Sequence, residues 1–160
     1  MRVHIGGDHA AFDLHQALVE HLRTAGHEVV DHGPHTLDPL DDYPVFVLRA
    51  AEALRDDLAA GTEARGIVLG GSGNGEQMAA NKVAGIRAAL CYDTELARLA
   101  REHNDAQVIS IGGRMQSVEV AIEMVDVFLT TEFTGEERHQ RRIDMVCAYE
   151  ADGTLPPLPQ

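Results

Sequence analysis

Short β-branched runs that end at glycine alternate with longer stretches of helical apolar spacing along this chain, and few folds accept that alternation. Residues 2–6 (Arg-Val-His-Ile-Gly) read as a first strand. Residues 10–25 carry Ala10, Leu14, Ala17, Leu18, Leu22 and Ala25 at helical spacing, with Gly26 as a C-terminal cap. Residues 28–31 read as a second strand, and 32–42, rich in Gly, Pro, His and Asp, as loop. A helix follows at 44–60, with Pro44 in its first turn. Residues 66–70 (Gly-Ile-Val-Leu-Gly) are an apolar run of the kind buried parallel strands show. The remaining elements are a glycine loop with helix 75–84, strand 86–91, helix 94–103, strand 107–111, and helices 117–130 and 136–150. Strands joined through helices require right-handed crossovers. The expected fold is therefore α/β: a doubly wound, Rossmann-like, five-stranded parallel sheet with helices on both faces and one extra C-terminal helix. No repeat or linker divides residues 1–150, which read as one domain, and 151–160 read as a loose, Pro-rich tail.

Composition narrows the partners. Lys plus Arg is 13 and Asp plus Glu is 26, a formal net charge of −13. A nucleic-acid binder needs a basic footprint, so none is expected as partner. A few local arginines can still hold an anionic small molecule. No apolar run reaches membrane-spanning length, and no membrane partner is expected. Two cysteines, Cys91 and Cys147, make neither a disulfide framework nor a zinc ribbon, and a cytoplasmic setting is the expectation.

In open parallel sheets, ligands bind beyond the carboxyl ends of the strands. That rule gathers Gly7-Asp8-His9, Gly70 to Glu76, Cys91-Tyr92-Asp93 and Gly112-Gly113-Arg114. The most specific segment is Gly70-Gly71-Ser72-Gly73-Asn74-Gly75-Glu76. Its glycines let backbone approach a ligand, and the helix start behind it presents free N–H groups. It lacks the Gly-Lys-Ser/Thr of a P-loop and the spacing of a dinucleotide fingerprint. Glu76 would repel a phosphate seated in the same cradle. The pattern fits an oxyanion that forms during reaction beside a carboxylate base, as in proton abstraction next to a carbonyl. The other reading is a tight turn whose Glu merely favours the helix.

Arg138 and Arg142 lie four apart on one face of the last helix, whose apolar positions are Ile143, Val146 and Cys147. Two guanidiniums suit a phosphate, and Arg114 could add a third; a solvated basic face is the alternative. His103-Asn104 closes a helix, where histidine can move protons or simply complement the dipole. Asp8-His9 sits at the ligand edge, where Asp8 could equally cap a helix. Ser72 has no His-Asp partner for a hydrolase triad. His27, His32 and His35 lie near Asp31, Asp38, Asp41 and Asp42, but the spacing matches no zinc motif, and no metal is expected.

Several segments together resemble the type B ribose-5-phosphate isomerases, a family that also holds galactose-6-phosphate and allose-6-phosphate isomerases. They are Gly7-Asp8-His9-Ala10, Asp42-Tyr43-Pro44, Gly66 through Glu76, Ala79-Ala80-Asn81-Lys82, Gly85-Ile86-Arg87, Glu102-His103-Asn104, Ile111-Gly112-Gly113-Arg114 and Arg138 through Ile143. One branch of the family uses a cysteine at the end of the third strand as base. Here that position is Gly70, and neither cysteine lies in the loop. The sequence is similar instead to the actinobacterial-type branch, with glutamate at Glu76 as base.

The resemblance implies aldose–ketose isomerisation of ribose 5-phosphate and ribulose 5-phosphate through an enediolate, without cofactor. It implies Glu76 as base, His103 as acid for ring opening, and Ser72 with the N–H groups of Gly71, Ser72, Gly73, Asn74 and Gly75 around the enediolate oxygen. It places Asp8 and Asn104 on sugar hydroxyls, and His9, Arg114, Arg138 and Arg142 at the phosphate end. It implies a homodimer (or dimer of dimers) with the site at the interface, His103 and Arg114 crossing over. A six-carbon aldose phosphate isomerase and a non-catalytic sugar-phosphate sensor are the competing readings.

Overall fold

The computed structural model describes residues 1–158. Five strands, β1 (Arg2–Gly7), β2 (Glu28–Asp31), β3 (Ala64–Gly70), β4 (Ala88–Leu90) and β5 (Val108–Gly112), form one sheet in the order β2-β1-β3-β5-β4. Every pairing is parallel. Six α-helices connect and flank them: α1 (Phe12–Thr24), α2 (Tyr43–Ala59), α3 (Asn74–Ala80), α4 (Thr94–Asn104), α5 (Val118–Thr130) and α6 (Glu137–Asp152). The expected fold class is the observed one. Among the described residues no helix is long and apolar enough to cross a membrane.

Strand periodicity divides the core. Ile67 and Leu69 of β3, with Ile109 and Ile111 of β5, face α1, α4 and α5 in one apolar cluster. Ala64, Val68 and Val108 face α2 and α3 in a second. Each fully buried aliphatic side chain contributes roughly 1.5–3 kcal/mol. That force seats helices on both faces, and the loops at the carboxyl edge are left to carry chemistry.

Several boundaries differ from the sequence expectation, for local reasons. Helix 10–25 begins instead as a 3₁₀ turn at His9–Ala11, because the Asp8 side chain accepts the Ala10 N–H at 3.0 Å and tightens the entry. Helix 75–84 stops at Ala80. Asn81 then leaves the helix pattern and pairs with β4: its Oδ1 accepts the Ala88 N–H and its Nδ2 donates to the Ala88 carbonyl, both at 2.9 Å. One side-chain amide thus does a strand's work, and β4 shortens from the expected 86–91 to three residues. Helix α6 runs on to Asp152 and ends at Gly153, with φ of 77°.

The last helix packs differently from its apolar pattern. Ile143 is buried, yet Val146 is 62% exposed and Cys147 is also exposed. Met145 and Tyr149 extend the same uncovered surface. Of the expected tail, residues 154–158 have no regular structure, and Pro159 and Gln160 lie outside the described residues.

Candidate active site

The chain runs from β1 outward to β2, then returns to lay β3 on the other side of β1. Connections leave in opposite directions at that point, which opens a crevice at the carboxyl edge. Asp8 and His9 enter it from β1, the glycine loop from β3, and Arg114 from the turn after β5. The turn is tied to the loop: the Gly113 N–H donates to the Gly70 carbonyl at 2.7 Å and the Arg114 N–H to the Gly71 carbonyl at 3.1 Å. The resulting cleft, of about 470 Å³, is lined by Asp8, His9, Tyr43, Gly71, Ser72, Gly75, Glu76 and Arg114 among others.

Glu76 sits in the first turn of α3 and is only 4% exposed. Its carboxylate folds back against the end of β3 and fills the space where a side chain at position 70 would stand, so a Cβ on Gly70 would collide with it. Burial pushes the Glu76 carboxyl above the usual carboxylate range, and the negative charge of Asp8 adds to this. Its own N–H and that of Gly73 pull it partway back. Asp8 is held high as well, chiefly by burial, against the Ala10 N–H and the charge of His9. A carboxylate raised towards neutrality is a better general base than an ordinary one. Since α3 has seven residues, the loop N–H groups matter more here than any helix dipole.

The glycine loop splits between lining and scaffolding. Gly71, Ser72 and Gly75 border the cleft. Gly73, at φ 82°, makes the turn, and its buried carbonyl accepts the Ser110 hydroxyl at 2.7 Å. Asn74 is exposed and donates to the Ser72 hydroxyl oxygen at 3.2 Å, leaving the Ser72 O–H free to donate. Burial pushes the Cys91 thiol up to about 12, so it offers no thiolate near neutral pH.

His103, Asn104 and Arg142 gather elsewhere. They line a cavity of about 290 Å³ with Arg87, His139 and Ile143. A crossover helix runs against its strands, so the C-terminus of α4 lies at the amino edge of the sheet. Glu76 is at the carboxyl edge. The His103 ring stacks on His139, with centroids 4.2 Å apart and planes at 13°. Burial, then the charges of His103 and Arg138, hold His139 below the usual histidine value. Arg138 is exposed and pairs with Glu136 at 2.7 Å, outside both linings. Arg114 is not on the His103 side. It follows β5, which neighbours β3, and so shares the Glu76 cleft within one chain.

Four contributors carried no role in the sequence reading: Tyr43, Asp41, Arg87 and His139. The ring of Tyr43 lies over Gly75, where a Cβ would come within 2.6 Å of it. Its signal was Asp42-Tyr43-Pro44, since a helix starting at Pro44 begins at the carboxyl edge. Asp8, His9 and Asp41 bring ligand-type atoms within 4.8 Å of one another and are the described residues that could hold a metal. Asp41 Oδ1 is already engaged by His9. Of the histidines and acids weighed for a metal, His32 bonds His4, which also bonds Asp57, while Asp31 bonds His15 and lies 3.6 Å from His35.

The family model described as Ribose/Galactose Isomerase matches residues 3–146. The chain belongs to that family. Among curated isomerases of the family, it is 51% identical over 159 residues to ribose-5-phosphate isomerase B of Mycolicibacterium paratuberculosis, covering 99% of this chain and 98% of the relative. It is 38% identical to ribose-5-phosphate isomerase B of Escherichia coli, over 93% of this chain and 96% of the relative. The crystal structure of ribose-5-phosphate isomerase B from Mycoplasma genitalium with bound ribulose-5-phosphate superposes with a TM-score of 0.89. That pair is 39% identical, covering 94% of this chain and 97% of the other.

Proposed function

We propose that this chain is an isomerase that interconverts ribose 5-phosphate and ribulose 5-phosphate, with Glu76 as its base. The observation that carries the mechanism is the buried Glu76 carboxylate, seated against Gly70 beside a loop of N–H groups and lining the cleft at the carboxyl edge. Glu76 takes the C2 proton of the open-chain aldose and returns it to C1, while a second proton moves from O2 to O1. Negative charge on the enediolate oxygen falls to the Ser72 hydroxyl and the N–H groups of Gly71 and Gly75, which border the cleft. Protons and electrons balance without metal or organic cofactor.

The phosphate end falls to His9 and Arg114, completed by Arg138 and Arg142. The phosphate is remote from the reacting carbons, so its binding energy can hold the substrate in place. His103 acts as acid in ring opening, and Asp8 and Asn104 hold sugar hydroxyls. Because His103, Asn104 and Arg142 lie at the opposite sheet edge from Glu76, a complete site takes them from a second copy of the chain. The uncovered apolar surface of α6, next to the His103 cavity, supports a homodimer of this kind. Two unpaired cysteines support a cytoplasmic setting.

The test is isomerisation of ribose 5-phosphate in EDTA, with Glu76→Gln alongside and allose 6-phosphate as six-carbon comparison. The expected result is turnover of the five-carbon substrate that falls by about 10²–10⁴-fold in the variant. Absence of turnover in folded wild-type protein sinks the substrate, and full turnover in Glu76→Gln sinks the mechanism.

A further inference from the structure

From the loop over residues 32–42, the Asp41 side chain reaches back to His9, just past the end of β1. Its Oδ1 accepts the His9 backbone N–H at 2.9 Å and bonds the His9 ring at Nδ1, 2.7 Å away. The Asp41 side chain is only 9% exposed, and its Oδ2 is buried without a partner. This carboxylate is therefore spent on His9 rather than on water. An ionised carboxylate only accepts, so Nδ1 carries a proton. The opposite ring nitrogen, Nε2, has no hydrogen-bond partner among the described residues, and His9 lines the Glu76 cleft.

We infer that Asp41 is a positioning residue: by holding the His9 backbone N–H and ring Nδ1 together, it fixes the ring with Nε2 available to the substrate's phosphate. This rests on the reading of His9 as part of the phosphate grip. Three charged groups face the ring: Asp8 from the end of β1, Asp41 from the loop, and Arg114 from the turn after β5. The hydrogen bond from Asp41 is the largest influence and raises His9 above the usual histidine value; the charges of Asp8 and Asp41 add to it. Partial burial and Arg114 oppose it. An ordinary histidine is mostly neutral above its pKa of about 6.5, where a sugar phosphate is a dianion. The Asp41 hydrogen bond extends the charged form of His9 to higher pH than an ordinary histidine's, and a charge-assisted contact to phosphate is about twice as strong as a neutral one.

The test is a double-mutant cycle in EDTA at pH 7.5, using ribose 5-phosphate. Asp41→Asn keeps an oxygen for both His9 contacts and removes the charge. It should raise KM about tenfold, the loss falling on KM rather than kcat. His9→Gln should do the same, and the double variant should be no worse than either alone. Across pH, KM of the wild type rises as His9 deprotonates; in Asp41→Asn that rise should begin at lower pH. The ¹⁵N shifts of the His9 ring, read in the free enzyme, should show the same displacement of its titration. A wild-type KM in Asp41→Asn, multiplicative effects in the cycle, or an unmoved His9 titration each overturns the inference. A wild-type KM in His9→Gln overturns the phosphate-grip reading beneath it, a separate failure.

Discussion

The carboxylate of Glu76 occupies the volume that a side chain at position 70 would need, so Gly70 and Glu76 are one structural unit. Any side chain at 70 must displace the carboxylate from the end of β3. Gly70→Ala should leave the sheet intact, because the added methyl meets a carboxylate rather than the core. It should lower kcat by about 10²-fold, the usual scale for a reacting group moved by about an ångström. Thermal melting alongside kcat separates this from general unfolding. Near wild-type kcat in Gly70→Ala would show that the base does not need that seat.

Both carboxylates in the cleft are held above their ordinary values, Glu76 and Asp8 chiefly by burial. A raised folded-state value means that the protonated form favours folding. Stability is then full below the ordinary carboxylate pKa and declines as pH rises through the raised folded values. Glu76→Gln removes a buried charge, so at pH 7.5 it should melt about 2 °C above wild type while losing activity. In wild type, kcat should fall on acidification through the raised Glu76 value. Lower stability of the variant at pH 7.5 contradicts this account of Glu76.

Arg142 lines the cavity that holds His103, whereas Arg138 pairs with Glu136 at the surface. Arg142→Ala should raise KM for ribose 5-phosphate by about tenfold or more. Arg138→Ala should raise it less, because its guanidinium must first leave an exposed partner. Equal effects on KM would place both arginines equally on the phosphate.

The strands and their grouping of loops were legible because buried parallel strands leave short apolar runs ending at glycine. Asp8, the Gly70–Glu76 segment and Arg114 could be brought to one edge from strand order alone. The end of α3 was not legible, since it depends on Asn81 standing in for a strand partner of Ala88. The separation of His103 from Glu76 was available in principle, because a crossover helix ends at the amino edge. The fate of Val146 was not, because an apolar position on a helix does not say which chain will cover it. Asp41 was visible only as one acid among several, since its contact with His9 spans 32 residues.

The central claim is that a working site joins Glu76 of one chain to His103 of another. Glu76→Gln and His103→Ala should each be inactive alone for ribose 5-phosphate turnover. Co-refolding them in equal amounts makes half of the dimers mixed, and each mixed dimer has one intact site. The account predicts recovery of about a quarter of wild-type activity in the mixture. A mixture as inactive as its two components would contradict a shared site and return the whole reaction to a single chain.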